Sequence, residues 1–169
     1  MEFLDLVKSR YSCRDYKDTS VSDELLNKIL EAGNLAPTAK NLQPQRIYVI
    51  KSEDNLKKIR EITPCAFNAP VVFIFAYDTD EDWKNVRQEG IHSGVEDVSI
   101  VATHMMLEAT SLGLATCWVN AYPNAVCDEA FNLPSNQKSV LLMPLGYPND
   151  EPCDRHTMRK DIEATVSYL

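Results

Sequence analysis

Helix-period apolar patterns alternating with short β-branched runs predict an α+β fold for this 169-residue chain. A length of this order fits one domain with a real core, and no repeat, low-complexity tract or linker divides it. Hydrophobic residues make up 44% and charged residues 25%, which argues against disorder as the main state. The expectation is one domain over residues 1–169, with 155–169 as a C-terminal arm.

The elements follow in order. Phe3, Leu4, Leu6 and Val7 fall on a helical pattern across residues 2–9. Ser22 reads as an N-cap, with Val21 and Leu26 spaced for a hydrophobic staple. Leu25, Leu26, Ile29, Leu30 and Ala32 carry an amphipathic helix to about Leu35. Pro37 and Pro44 then bracket a turn-like stretch. Ile47 to Ile50 reads as a short strand, followed by a helix over 53–62 with Ser52 as its cap. The continuous β-branched and aromatic run from Val71 to Tyr77 predicts a buried strand.

The longest predicted helix runs from Gly90 to Leu114. Val95, Val98, Ala102, Met105, Ala109 and Leu112 make one stripe on it, and Ile100, Leu107 and Leu114 make a second. A helix apolar on two sides must be covered on two sides, either by its own fold alone or with help from a partner subunit. Thr116 to Val119 and Ser139 to Leu145 read as further strands, with a short helix over 128–133 between them. Residues 155–169 carry few core residues, so they are either a frayed tail or an arm on another subunit.

Charge and composition narrow the function. Seventeen basic against twenty-five acidic residues give a net charge of −8, which makes nucleic acid a poor partner. One compact basic pocket for one anion remains compatible with that charge. The N-terminus has neither a basic nor an apolar signal region, and the longest apolar run, Val71 to Ala76, is too short to span a bilayer. Cys13, Cys65, Cys117, Cys127 and Cys153 form no CxxC pair and read as free thiols in a reducing cytosol. No ligand cluster suggests a metal. His104 and Glu108 share a helix face without a third ligand, and Cys117 reads as a small buried hydrophobe. The five glycines, Gly33, Gly90, Gly94, Gly113 and Gly146, spell neither GxGxxG nor a Walker loop.

Four segments could carry chemistry. In Arg10-Tyr11-Ser12-Cys13-Arg14, alternate residues of an extended strand would converge on one anion, with arginine forks and a serine hydroxyl suited to phosphate. The bland alternative is a solvated charged turn. In Ala36 to Pro44, the rigid frame offers Thr38, Asn41 and Gln43 to the edge of a heteroaromatic ring, or is an ordinary polar turn. Trp118 could wall a ring pocket or sit in the core. After Gly146-Tyr147-Pro148, Arg159 and Lys160 could deliver positive charge to the same anion, or simply be solvated.

Together these segments resemble the nitroreductase family. Its pattern runs R-x-S-x-R, A-P-S-x-x-N-x-Q-P, a helix ending L-G-L, a C-W-V-like strand, an L-G-Y-P turn and a basic tail. Here these stand in order at Arg10 to Arg14, Ala36 to Pro44, Leu112 to Leu114, Cys117 to Val119, Leu145 to Pro148, and Arg159-Lys160. The resemblance implies a three-layer α/β/α sandwich with a mostly antiparallel sheet, and a cytoplasmic homodimer with its C-terminal arm on the partner subunit.

It further implies FMN at the dimer interface and NAD(P)H as a transient co-substrate, with ping-pong transfer to nitroaromatic, quinone or flavin-like acceptors. Flavin N5 would carry the chemistry, so no side chain is singled out as catalytic. By similarity, Arg10, Tyr11, Ser12 and Arg14 hold the phosphate and ribityl end, joined by Arg159 and Lys160. Pro37, Thr38, Asn41 and Gln43 meet the cofactor from the partner chain. Trp118 stands beside the ring, and the backbone at Asn120 and Ala121 approaches N5. The family often has an aromatic residue where this chain has Gln45 and a small one where it has Lys40, which bears on acceptor choice. The alternative readings are a flavin-binding storage or sensing module without turnover, and a helical interaction protein that dimerises through the Val95–Leu112 stripe.

Overall fold

The computed structural model describes residues 2–169. At its centre is β2 (Val71–Asp78), whose eight residues are all buried. Its side chains alternate between two cores, as the pleat requires. Val71, Phe73, Phe75 and Tyr77 enter one, and Val72 and Ile74 enter the other. That two-sided burial explains why the strand reads as a continuous apolar run. β1 (Gln45–Ile50), β2, β4 (Gln137–Gly146) and β3 (Ala115–Thr116) lie side by side in the order β1-β2-β4-β3, with every ladder antiparallel.

α2 (Asp23–Asn34) and α4 (Gly94–Ser111) cover the first face with Leu26, Ile29, Val98, Val101, Ala102 and Met105. α3 (Glu53–Ile62) and α5 (Asn124–Ala130) cover the second through Leu56, Ile59 and Cys127. The result is the expected helix–sheet–helix sandwich. Ser22 caps α2, accepting Leu25 N–H at 3.3 Å, and Val21 and Leu26 share one core. Ser52 holds the cap position of α3 but makes no capping hydrogen bond. α1 (Phe3–Ser9) forms as predicted yet has no buried residue.

The long helix, the 116–119 strand and the helix expected over 128–133 differ in extent from the sequence reading. The long helix begins at Gly94 rather than Gly90, because residues 84–92 form a small hairpin in which Lys84 bridges His92 and Gly90 turns at φ 79°. It ends at Ser111 because Gly113, at φ 77°, lets Leu114 N–H reach Ala109 O at 2.9 Å. The strand expected over 116–119 is two residues plus one bridge from Val119 to Leu142. It breaks opposite Pro144, which has no N–H to give the ladder. The helix expected over 128–133 runs from Asn124 to Ala130, started by Pro123 and stopped by Asn132 at φ 53°. The Asp128 carboxylate, placed by the sequence at a helix start, accepts Ser139 N–H instead.

Each of the two stripes expected on the long helix is covered in part, and Leu114 of the second is 3% exposed. Val98, Ala102, Met105 and Ala109 are buried against α2 and the sheet, while Val95 is 49% exposed and Ile100 38%. Among the described residues no helix is long and apolar enough to cross a membrane.

The start of α4 depends on a close approach: a Cβ built on Gly94 would stand 2.2 Å from the buried Tyr77 ring. A rigid ring cannot yield as a flexible chain can. Gly94→Ala is expected to cost roughly 2–3 kcal/mol by the overpacking rule. Urea unfolding of the variant checks this, and an unchanged midpoint would contradict the contact.

Candidate functional site

The main cleft is assembled from the two ends of the chain. α1 ends at Arg10, whose φ −67° and ψ 127° turn the backbone from helix to extended. Ser12 then bridges Thr116 in parallel, and Cys13 N–H donates to Thr116 O at 3.0 Å. This rung fixes the alternation: Cys13 points into the core while Arg10, Ser12 and Arg14 face a cavity of about 690 Å³. From the far end of the chain, Cys153, Asp154, Arg155, His156 and Arg159 close the opposite wall. His156 fastens that tail to α1, its Nε2 lying 2.9 Å from Lys8 O. Arg159 is steadied by its own tail, donating from Nη1 to His156 O at 2.5 Å and Met158 O at 2.8 Å.

The lining is mainly cationic, with four guanidiniums against the Asp154 carboxylate. Burial, then the nearby Arg159 guanidinium, pulls the Arg10 pKa below its ordinary value. Among the described residues none of Arg10, Arg14, Arg155 and Arg159 is ion-paired, although other basic side chains are. In a chain of net charge −8, four guanidiniums without ion-pair partners around one cavity suit an anion.

One acid organises its wall without neutralising it. Asp150 Oδ2 accepts Arg14 N–H at 2.8 Å, and the Tyr11 hydroxyl donates to Asp150 O at 2.7 Å and Oδ1 at 3.1 Å. Burial alone would raise the Asp150 pKa. Hydrogen bonds from Arg14 N–H, Cys13 and Tyr11 outweigh it and hold the carboxyl below its usual range.

The sequence-predicted residues divide into groups. Arg10, Tyr11, Ser12, Arg14 and Arg159 share the cavity, whereas Lys160, next in sequence, is exposed and outside its lining. Pro37, Thr38, Asn41 and Gln43 line no part of it. They form a separate tight turn, in which Gln43 N–H donates to Thr38 Oγ1 at 3.1 Å and Gln43 Nε2 donates to Asn41 O at 3.2 Å. Lys40, Asn41 and Gln43 there hold φ of 51°, 56° and 54°. Left-handed backbone costs a non-glycine residue about 1–2 kcal/mol, and such strain gathers where a loop has work to do.

Trp118 packs against the α2–α4 core and donates from Nε1 to Asn120 Oδ1 at 2.9 Å, outside the cavity. Ala121 is exposed, and its carbonyl accepts the Thr63 hydroxyl at 2.8 Å.

Sequence reasoning missed Asp150, Cys153, Arg155 and His156. The signal for Arg155 and His156 was a second basic pair four residues before Arg159-Lys160. Asp150 gave none, since its partners lie more than 130 residues away. A second cavity, of about 580 Å³, lies beside the 84–92 hairpin, where His92 Nδ1 meets the buried Asp82 Oδ2 at 2.6 Å.

Comparison with known proteins now bears on this arrangement. The profile described as the nitroreductase family matches residues 7–66 and 61–147. A Methanothermobacter thermautotrophicus protein with the provisional name NADH dehydrogenase/NAD(P)H nitroreductase is 32% identical over 168 residues, covering 95% of this chain and 85% of that protein. The crystal structure of a nitroreductase family protein from Clostridium difficile 630 superposes with a TM-score of 0.94 at 37% identity, over 99% of this chain and 98% of that one. An FMN-dependent nitroreductase of Clostridium difficile R20291 gives a TM-score of 0.79 at 27% identity, over 98% of each chain.

The cysteines yield a prediction. Burial, then its hydrogen bond with Asp150, pushes the Cys13 thiol up to about 11, and burial lifts Cys127 to about 12. At pH 8 a thiol reagent should therefore modify exposed Cys153 and spare Cys13 and Cys127. A folded pKa above the unfolded value of about 8.5 favours the folded state at low pH, so stability should fall as pH climbs from there toward 11. Melting temperature against pH reads this, with part of the decline removed in Cys13→Ala.

Proposed function

The chain belongs to the nitroreductase family, and from that premise we propose that it is an FMN-dependent NAD(P)H oxidoreductase working as a homodimer. Its electron acceptors are nitroaromatics, quinones or similar rings, served in a ping-pong cycle. The observation that carries this reading is the cavity walled by unpaired guanidiniums from both ends of the chain. Its donor set fits a cofactor with a phosphate at one end: forked cations for the oxygens and a serine hydroxyl beside them.

When bound, the flavin ring supplies the hydride chemistry, leaving the protein to bind, orient and exclude water. Arg10, Arg14 and Arg159 hold the phosphate, with Ser12 toward the ribityl chain and Lys160 adding charge at the rim. Tyr11, fixed through its hydroxyl to Asp150, walls the pocket. Pro37, Thr38, Asn41 and Gln43 meet the ring from the partner subunit, and the backbone at Asn120 and Ala121, beside Trp118, offers N–H donors to its edge. That the 37–43 turn stands outside its own protomer's cavity supports this sharing.

The dimer is supported by apolar surface left open on one protomer. On α1 Phe3 is 65% and Leu4 67% exposed, and on the 155–169 arm Ile162 is 70% exposed. Apolar groups gathered on two segments this way mark a surface meant to be covered.

Purified protein should be yellow, release FMN, and lose its flavin absorbance on anaerobic mixing with NADH or NADPH. A colourless protein that also refuses added FMN overturns the cofactor, and a bound flavin that neither nucleotide bleaches overturns the oxidoreductase in favour of storage or sensing. Arg14→Ala removes one fork and should weaken FMN by about 2 kcal/mol, as for a charged hydrogen bond.

A further inference from the structure

The 37–43 turn is tied down from far along the chain. Ala39 N–H donates to Asp97 Oδ1 at 2.8 Å. Asp97 lies in the first turn of α4 and is 2% exposed. Its other oxygen, Oδ2, accepts the Ser93 hydroxyl at 2.7 Å. Ser93 occupies the N-cap position of α4, but with φ −93° and ψ −6° it makes no side-chain cap. Its hydroxyl instead accepts Trp83 N–H at 3.2 Å, and its own N–H reaches Trp83 O at 2.9 Å. A buried carboxylate with both oxygens engaged thus joins the turn to the base of the 83–93 hairpin.

The turn needs such a tie. Three of its residues hold left-handed backbone without being glycine. Its other hydrogen bonds, Asn41 N–H to Thr38 O, Leu42 N–H to Ala39 O, Gln43 N–H to Thr38 Oγ1 and Gln43 Nε2 to Asn41 O, are internal, apart from a long 3.4 Å bond from Arg46 Nη1 to Gln43 O at the end of the turn. The Ala39–Asp97 bond fixes its middle to the longest helix of the fold.

We infer that Asp97 is a positioning residue for the cofactor. It holds the Thr38–Gln43 turn in its strained, cofactor-meeting shape before FMN arrives, so that binding does not have to order the loop. The inference rests on the reading that this turn contacts FMN, and its consequence for loop order can be measured without any flavin.

The test pairs amide hydrogen exchange on FMN-free protein with FMN titration. In Asp97→Ala both acceptor oxygens are removed, so the bonds from Ala39 N–H and the Ser93 hydroxyl are both lost. The amides of Ala39, Asn41 and Gln43 should exchange about tenfold faster or more, those from Met105 to Ala109 should keep their protection, and the FMN Kd should rise about tenfold. Ser93→Ala spares the Ala39 bond and frees only Oδ2, so it should give smaller changes of the same sign. It carries the test should Asp97→Ala fail to fold. Unchanged exchange in the turn overturns the positioning role, as does faster exchange with wild-type FMN affinity. Wild-type protein that binds no FMN overturns the functional reading instead, while the exchange result still judges Asp97.

Discussion

Positive charge without a partner is the constraint around which this molecule is arranged. The chain is acidic overall, yet Arg10, Arg14, Arg155 and Arg159 line one cavity, where among the described residues none of them is ion-paired, even with Asp154 in the same wall. Burial, and after it the like charge of Arg159, lowers the Arg10 pKa, so gathering these cations is costly. Such a cluster persists only if the fold imposes it. Here the Ser12–Thr116 rung and the Asp150 carboxylate pin one wall, and His156 pins the other. A bound anion would relieve this cost, which is why the proposed ligand carries a phosphate.

The sheet makes this possible. Because β2 and β4 bury both faces, each core is closed by its own helix pair, and the chain ends are left free to meet at the margin. The same economy leaves α1, the outer side of α4 and the C-terminal arm with uncovered apolar groups. The surfaces that one protomer fails to cover, and the turn that reaches none of its own cavity, belong to one proposed solution in which two protomers share each site.

How much of this was legible in the sequence depended on range. Local signals survived: the Ser22 cap, the β-branched run of β2, and the alternation that turns Arg10, Ser12 and Arg14 to one side. Signals that needed a partner elsewhere in the chain did not. Pro144 sits in β4 and shortens a strand that precedes it. Gly90 lies within a periodic pattern but serves a hairpin, and nothing near Asp97 announces that it grips Ala39. Of the proposed cofactor contacts, the basic residues at both ends were readable because guanidiniums suit phosphate. Asp150 was not, because an acid beside arginines in space was distant from them in sequence.

The proposed phosphate pocket can be tested by its own chemistry. Riboflavin shares the flavin ring and ribityl chain with FMN but lacks the phosphate, so their affinities isolate what the guanidiniums contribute. Two or more charge-assisted hydrogen bonds to the phosphate should make FMN bind about 100-fold tighter than riboflavin, and the margin should narrow as salt screens the site. Equal affinities for the two, unchanged by salt, would contradict the account.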